Sequence, residues 1–399
     1  MSKLLIIGNG FDLNLGLKTS YADFIGSSFF QELANGNNHL AFFLSEMFKF
    51  NSKQNQLWID IEHELKTYSQ LLGNSDDLIN KIRNKEIYSF LIKFENPSAI
   101  IDFLELEFYH RANSKDSYYA TDLESLKSRY EKKRTGSGPK SFIEDSYSEA
   151  EDSRYLVSQW KEHHKNFKIE FISLKNALSN YLSETLASWD KNESTGNEIS
   201  KAWALLRFGQ LFNEDQKPFP SYHSKPESKS SFTQVFTFNY TNPLSLIGYS
   251  SHHVHVDIHY MHGSLGNKDI VFGVDDQSVD NEFLFLTKSG HAAFGKAPDI
   301  ALSMLAASEI HIFGCSLGDT DNAHFIYPFT ELAQRKIKTS RKKTKVIFYV
   351  YGKESYQNTF NRLLFLTKGR MSEFKIVNDV FFFDLESDQV INQEWLNNQ

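Results

Sequence analysis

Four polar segments of this chain, three of which contain glycine, follow short runs that are typical of strands. They are residues 8–12, 237–241, 262–264 and 314–319. In an open α/β sheet, ligands bind just beyond the carboxyl ends of the strands, so these four places are expected to share one site. The asparagine, histidine, aspartate and serine side chains there supply hydrogen-bond donors, acceptors and a base that titrates near neutral pH. The set indicates a small-molecule site.

The first of these segments follows the apolar run 3–7. Its glycines, Gly8 and Gly10, indicate a tight turn from a strand into a helix. Backbone N–H groups at such a turn, together with the helix dipole, can bind a phosphate or pyrophosphate. The next glycine, Gly16, comes too late for the G-x-G-x-x-G fingerprint of dehydrogenases. An ordinary turn after a core strand is the alternative.

Composition excludes several classes of protein. The 399 residues carry a net charge of −7, which argues against nucleic-acid binding through a broad basic surface. The single cysteine, Cys315, excludes an intramolecular disulfide and a multi-cysteine zinc site. The sequence contains neither an apolar run of about 18 residues nor the pattern of a signal peptide. We therefore expect a soluble, cytoplasmic protein without a membrane partner.

The element pattern predicts an α/β domain with a large helical insertion. Strand-like runs cover residues 3–7, 233–238, 253–262, 270–274, 309–313, 345–351 and 380–384, and helical patterns cover 298–307, 320–336 and 354–366. Strands alternating with helices predict a Rossmann-like, mostly parallel sheet covered on both faces. The middle of the chain is helical in pattern instead, with an apolar stripe from Leu156 to Leu182. We predict a domain of residues 1–26 plus 231–399, interrupted by a helical insertion at 27–230.

Alternating side chains offer a rival chemistry in the run 253–262. His253, His255, Asp257 and His259 would project from one face if the run is a continuous strand. Imidazole and carboxylate ligands at that spacing can bind Zn²⁺ or Mn²⁺ and support hydrolysis. A metal-dependent nuclease is therefore one alternative function. An amphipathic strand without a ligand explains the same pattern.

The four segments together resemble two related families. Residues 8–17, G-N-G-F-D-L-N-L-G-L, resemble the sirtuin spacing G-A-G-x-S-x-x-x-G-(I/V), and T-F-N, H-G and G-C-S-L follow in the order of the sirtuin T-Q-N, catalytic H-G and G-(T/S)-S-L. More closely, I-I-G-N-G-F-D-L, G-L-x-T-S-Y, W-I-D-I-E, F-N-Y-T, H-G-S-L and G-x-S-L-x-x-x-D resemble the bacteriophage abortive-infection AbiH family, a divergent sirtuin-like group. Departures from the sirtuin pattern are Asn9, Asp12, Lys18, Phe238 and Thr241. One cysteine leaves no four-cysteine zinc ribbon, which weighs against a protein deacylase.

The resemblance implies an anti-phage effector that hydrolyses NAD⁺, or a related dinucleotide, to nicotinamide and ADP-ribose. The implied catalytic residues are Asn239, which would position ribose hydroxyls or water, and His262, which would act as general base. The implied dinucleotide-binding residues are Gly8, Asn9, Gly10, Asp12, Thr19, Ser20, Thr237, Gly314, Ser316 and Asp319. NAD is expected as the substrate, and no metal is expected.

Two further expectations concern partners and control. A nucleotide sensor that binds without turnover is the other alternative function. An effector that depletes a cofactor needs restraint in healthy cells, which we assign to the helical insertion or to homo-oligomerisation, with a phage or host trigger. The sequence assigns no role to Asp60 and Glu62 of the W-I-D-I-E element.

Overall fold

The computed structural model of the chain describes residues 2–53, 60–84, 86–104, 150–189, 201–202, 205, 232–246, 256–275, 279–291, 299–318, 321–335 and 343–391. Its strands are β1 (Lys3–Ile7), β2 (Gln234–Thr237), β3 (Asp257–Tyr260), β4 (Glu309–Phe313), β5 (Thr344–Val350), β6 (Asn378–Asp384) and β7 (Gln389–Val390). Its α-helices are α1 (Gly10–Asn14), α2 (Tyr21–Ile25), α3 (Ser28–Ala34), α4 (His39–Lys53), α5 (Ile61–Gly73), α6 (Ser75–Arg83), α7 (Ile87–Leu91), α8 (Ala150–Ser188), α9 (Pro243–Leu246), α10 (Ile300–Ala306), α11 (Asn322–Gln334), α12 (Gly352–Leu366) and α13 (Met371–Val377). Two 3-10 segments, Asn281–Leu286 and Lys288–Gly290, lie between β3 and α10.

The strands of the described residues form one sheet in the order β3-β2-β1-β4-β5-β6-β7. All neighbouring pairs are parallel except β6 with β7. Chain order reverses between β1 and β4, because β2 and β3 extend the sheet to one side and β4, β5 and β6 to the other. Such a reversal opens a crevice at the carboxyl edge of the strands. The prediction of a mixed α/β fold on a mostly parallel sheet is confirmed.

Both faces of the sheet are buried, as a parallel sheet requires. Alternate residues of β1 enter two different apolar clusters: Leu4 and Ile6 pack in one, and Leu5 and Ile7 in the other. This alternation follows from the two-residue period of a strand. A nearly continuous apolar run is therefore what the centre of this sheet needs.

The predicted strand at residues 270–274 is wrong. Only Val274 joins a ladder, through an isolated bridge to Thr287. The segment is nevertheless buried, and its backbone bonds to loops: Val271 N–H donates to the carbonyl of His262 at 2.6 Å, and Tyr240 Oη donates to the carbonyl of Val271. An apolar run that fills the core without a sheet partner has the same sequence pattern as a strand.

The chain divides into two compact units. One comprises Met1–Ser20, Ser179–Asp275 and Thr287–Gln399 and contains the sheet; the other comprises Tyr21–Leu178 and Asp276–Leu286 and is helical where it is described. In the helical unit, the predicted apolar stripe lies on α8, where Trp160, Phe167, Phe171 and Leu174 are buried. The insertion boundaries at 26/27 and 230/231 stay a prediction.

Candidate functional site

The turn after β1 packs its backbone directly against the turn after β4. Gly8 N–H donates to the carbonyl of Phe313 at 3.0 Å, and Gly10 N–H donates to the carbonyl of Gly314 at 2.9 Å. A Cβ on Gly8 would lie 2.5 Å from the Cα of Cys315, and one on Gly10 would lie 2.7 Å from the Cα of Gly314. Both glycines are therefore required by the close approach of two loops, and both amides already have acceptors inside the protein.

Gly16 has a separate role at the end of α1. Its φ of +79° places it in the left-handed region, and its N–H donates to the carbonyl of Leu13. The N–H of the buried Leu17 donates to the carbonyl of Asp12 at 3.1 Å. These two bonds form a Schellman motif, which ends a helix and favours glycine at this position. The late glycine of the sequence motif is thus a helix stop.

Asn9 and Thr19 bind each other. The Asn9 side chain donates to the backbone carbonyl of Thr19 at 3.2 Å and accepts from the Thr19 hydroxyl at 2.7 Å. Both ends of this amide are engaged, so the pair ties the start of α1 to the loop that follows it. Ser20, the next residue, is half-buried.

A buried carboxylate, Asp12, connects the β1 turn to the loop after β2. Its two oxygens accept one bond each, from Asn239 Nδ2 at 2.8 Å and from Thr241 Oγ1 at 2.7 Å. Burial raises the pKa of Asp12 to about 6, against the two hydrogen bonds, which lower it. Thr237, the last residue of β2, accepts the backbone N–H of Asn239 on its hydroxyl. The structure thus brings Asp12, Thr237 and Asn239 together.

This network leaves one atom of Asn239 unused. Its Oδ1 is buried and has no hydrogen-bond partner among the described residues, and the residue as a whole is 5% exposed. Buried polar atoms in native proteins nearly always have a partner. Since Nδ2 is committed to Asp12, the carbonyl oxygen is held in a fixed direction as a free acceptor.

His262 belongs to a buried ionic cluster. Its Nε2 lies 3.0 Å from Asp321 Oδ1, and the same oxygen accepts from Lys288 Nζ at 3.0 Å. Burial acts to raise the pKa of Asp321, but the neighbouring ammonium of Lys288 and the imidazole of His262 prevail and hold that pKa well below its usual range. A carboxylate on Nε2 fixes the orientation of the ring and leaves Nδ1 as the atom available for proton transfer.

The histidine cluster and the asparagine network lie at the same edge of the sheet. The two neighbours of Asn239 in the chain both approach His262: the Phe238 ring lies edge-on to the imidazole at 5.3 Å, and the Tyr240 ring lies 6.4 Å away. Phe238 also contacts His324 of α11, at 5.7 Å. The residues on either side of Asn239 therefore contact His262, while the side chain of Asn239 itself binds Asp12.

A cavity of about 820 Å³ lies beside the β1 turn, and the Asp12–Asn239 network does not line it. Of the predicted binding residues, Gly10, Gly314 and Ser316 line it, whereas Asp12, Asn239 and His262 do not. Helix geometry explains the division, because residues three and four apart share a face: Gly10, Leu13 and Asn14 face the cavity, and Asp12 points away from it. The predicted set is thus distributed on two sides of α1.

Sequence reasoning missed two members of the histidine cluster. Asp321 is the final letter of the motif G-x-S-L-x-x-x-D, and that motif would have identified it. The prediction chose Asp319 instead, which lies outside the described residues. Lys288 lies in a 3-10 segment with no distinguishing pattern.

The acidic residues of the W-I-D-I-E element lie at the start of α5, where Asp60 has a structural role. Asp60 caps α5 by accepting the backbone N–H of His63 at 3.2 Å. Glu62 and Glu64 are both buried, and burial, followed by the nearby charge of Asp60, raises the pKa of Glu64 to about 7.

Two of the four residues predicted to bind a metal lie in the described part of the chain. His253 and His255 lie outside the described residues, and β3 contains Asp257 and His259. Within the part of the chain that the structure covers, no group of three or more histidine, cysteine, aspartate or glutamate side chains is arranged to hold a metal ion.

Among the described helices, none combines the length and apolar character needed to cross a bilayer.

Comparison with known proteins finds a matching family. No curated protein and no solved structure shows significant similarity to the chain. The family described as "Bacteriophage abortive infection AbiH" matches residues 4–348, which include the β1 turn, Asn239, His262, Lys288 and Asp321. This family suggests a role in abortive infection by phage, and the chain belongs to the AbiH family.

Proposed function

We propose that this protein is an abortive-infection effector that hydrolyses NAD⁺, or a related dinucleotide, to nicotinamide and an ADP-ribose product. The family supports the biological role. The strand order 3-2-1-4-5-6 supports a Rossmann-like sheet, since nucleotide-binding sheets of that order place the ligand where the order reverses. Depletion of the cofactor would stop the metabolism of an infected cell.

One observation carries the chemical part of the proposal. Asn239 Oδ1 is a buried acceptor without a partner among the described residues, and Asp12 fixes its direction from behind. A ribose hydroxyl or an attacking water would supply the missing donor. Such preorganised groups need no rearrangement when the substrate reacts.

Besides the asparagine, the reaction requires a general base that accepts a proton from water. Nicotinamide leaves the ribose as a neutral molecule because it is cationic when bound, so no acid is needed. Water attacks the anomeric carbon of the oxocarbenium-like ribose, and its proton passes to Nδ1 of His262. Asp321 positions this histidine through Nε2. General-base catalysis of this kind contributes about 10²–10⁴ in rate.

The geometry also accommodates the length of a dinucleotide. His262 follows β3 and the cavity borders β5, and four inter-strand steps of about 4.8 Å separate these strands, about 19 Å in all. A ligand extended across the β1 turn would reach both. The amides of Gly8 and Gly10 are engaged within the protein, so in this arrangement the glycines contribute close approach rather than donors.

Nucleotide binding without turnover is a second candidate. The observation that favours it is the division of the predicted residues, because the cavity is lined by neither Asn239 nor His262. A ligand confined to the cavity would leave the histidine cluster idle.

Incubation of the full chain with NAD⁺, with nicotinamide followed by chromatography, tests the proposal. We expect release by the wild type that persists with a chelator and is lost in His262→Ala and Asn239→Ala. His63→Ala, at a partly exposed histidine of the helical unit, is the matched control and should retain activity. Thermal unfolding of each variant separates loss of chemistry from loss of fold.

The other outcomes assign the alternatives. Full activity in His262→Ala would remove this histidine from the mechanism. Saturable NAD⁺ binding without nicotinamide supports the sensor, and chelator-sensitive cutting of DNA or RNA supports the nuclease. Control by the helical region, by self-association or by a phage or host trigger stays part of the proposal.

A further inference from the structure

The cavity beside the β1 turn has a distinct chemical character. It is bordered by the ends of β4 and β5, by α1 and by the first turns of α12. Its volume of about 820 Å³ lies within the range of small-molecule sites. Its aliphatic and aromatic lining, which includes Leu13, Phe313 and Tyr349, suits the face of a flat ring.

The polar lining consists of neutral groups and one carboxylate. Hydroxyl and amide side chains come from Ser316, Ser355, Asn358 and Thr359. Glu354 is the charged residue of the lining, and no lysine, arginine or histidine is found among the described residues that border the cavity. Glu354 also lies in the first turn of α12, where its charge offsets the positive end of the helix dipole. Among the described residues that border the cavity, an anionic group would meet one negative charge and no cation.

A second buried polar atom without a partner belongs to a residue that lines this cavity. Asn14 borders the cavity, and its Nδ2 is buried with no hydrogen-bond acceptor among the described residues. An amide donor of this kind needs an acceptor such as a ring nitrogen or a ribose oxygen. The residues that line the cavity thus include an amide donor on α1 and a carboxylate acceptor on α12.

We propose that this cavity binds the adenosine end of the dinucleotide. In this proposal Glu354 selects a free 2′-hydroxyl on the adenosine ribose and excludes a 2′-phosphate. A carboxylate can accept from a ribose hydroxyl, whereas a 2′-phosphate needs a cationic partner. The protein therefore uses NAD⁺ in preference to NADP⁺. This inference rests on the proposed function for its substrate, and on the charge of the cavity for its selectivity.

Two isomeric nucleotides test it by calorimetry on the full chain. Adenosine 5′-phosphate and adenosine 2′-phosphate have the same atoms and charge and differ in where the phosphate lies. We expect the wild type to bind the 5′ isomer about tenfold more tightly, as one repulsive contact near solvent predicts. Glu354→Gln should reduce this ratio towards one, and Glu354→Lys should invert it. Glu373→Gln, at an exposed position of α13, is the matched control and should leave it unchanged.

Each remaining outcome decides between the two proposals. Equal binding of the isomers by the wild type, no binding of either, or a ratio unaffected by Glu354→Gln would overturn the selectivity. Asn14→Ala should weaken both isomers alike. Selective binding without nicotinamide release would overturn hydrolysis and leave the cavity assignment standing. Release that depends on His262 but proceeds equally with NAD⁺ and NADP⁺ would overturn only the selectivity.

Discussion

Asp12 accepts the side-chain amide of Asn239 at 2.8 Å, although 227 residues separate the two positions in the chain. The sheet explains this contact, because β1 and β2 are parallel neighbours that end side by side, with Ile7 opposite Thr237. Each strand is followed by a loop, and the two loops meet at the carboxyl edge. The carboxylate is therefore both a link between loops and the group that fixes the asparagine.

The pH dependence of stability reports the burial of Asp12. Its pKa rises from 3.8 to about 6 on folding, so the folded state holds a proton that the unfolded state releases. This contribution is fully present below pH 3.8 and is lost as the pH rises through 6. Asp12→Asn keeps the shape and removes the titration. We expect the unfolding free energy of the wild type relative to Asp12→Asn to fall by about 2 kcal/mol between pH 4.5 and pH 7.

Urea unfolding at several pH values measures this difference. Parallel pH profiles for the wild type and Asp12→Asn would contradict a raised pKa in the folded state.

Gly8 tests whether loop packing, as distinct from turn flexibility, requires glycine. The Cβ of Gly8→Ala would lie 2.5 Å from the Cα of Cys315 and 2.6 Å from the carbonyl oxygen of Gly314, both backbone atoms. We expect a loss of about 1–3 kcal/mol, as in other overpacked sites. Gly266→Ala, which meets nothing within 4 Å, should be neutral or slightly stabilising. Similar midpoints of thermal unfolding for the two variants would exclude the steric explanation.

The sheet and the convergence of loops were predictable from the sequence, for a physical reason. Runs such as 3–7 and 309–313 match β1 and β4 in their bounds, because buried parallel strands need uninterrupted apolar residues. Polar residues that follow such runs must then meet at one edge. Asp12, Asn239 and His262 were identified in this way.

The sequence did not show which groups the residues of the site bind. Spacing shows that Gly8 and Gly10 form a turn, but the acceptors of their amides belong to residues 313 and 314, more than three hundred positions away. Lys288 gave no signal, since a single lysine in an irregular segment is ordinarily solvated. The run at 270–274 was mistaken for a strand because burial alone produces its pattern.

A buried histidine within the sheet gives an opposite pH effect. His311 of β4 is fully buried, with its Nδ1 3.0 Å from the Tyr349 hydroxyl. Burial lowers its pKa from 6.5 to about 4, so the unfolded state takes up a proton that the folded state refuses. The resulting stability is lost as the pH falls from 6.5 towards 4. Relative to His311→Gln, the wild type should lose about 2 kcal/mol between pH 7 and pH 5.

Guanidinium unfolding of both proteins at these two pH values checks the sign. A wild type that gains stability relative to His311→Gln on acidification would mean that the folded protein binds this proton more tightly.

The Lys288–Asp321 pair offers a test of the cluster that holds His262. Both side chains are largely buried, at 5% and 14% exposure, and their atoms lie 3.0 Å apart. Asp321→Asn leaves the ammonium of Lys288 without this carboxylate, so we expect a loss of about 3–5 kcal/mol. Lys288→Met should also destabilise the protein, but the double variant should lose less than the sum, because it removes both charges together.

A double-mutant cycle from urea unfolding at pH 7 measures that coupling, and we expect about 1–3 kcal/mol. Lys81 and Glu86, a pair at 3.1 Å with side chains 31% and 57% exposed, form the matched control with coupling of about 0–1 kcal/mol. Additive losses at Lys288 and Asp321 would mean that the two charges act separately, and Asp321 alone would then orient the histidine. Strong coupling would instead mean that Lys288 and Asp321 act together on His262. Lys288 would then keep Asp321 ionised, and the Asp321 carboxylate would orient the ring through Nε2.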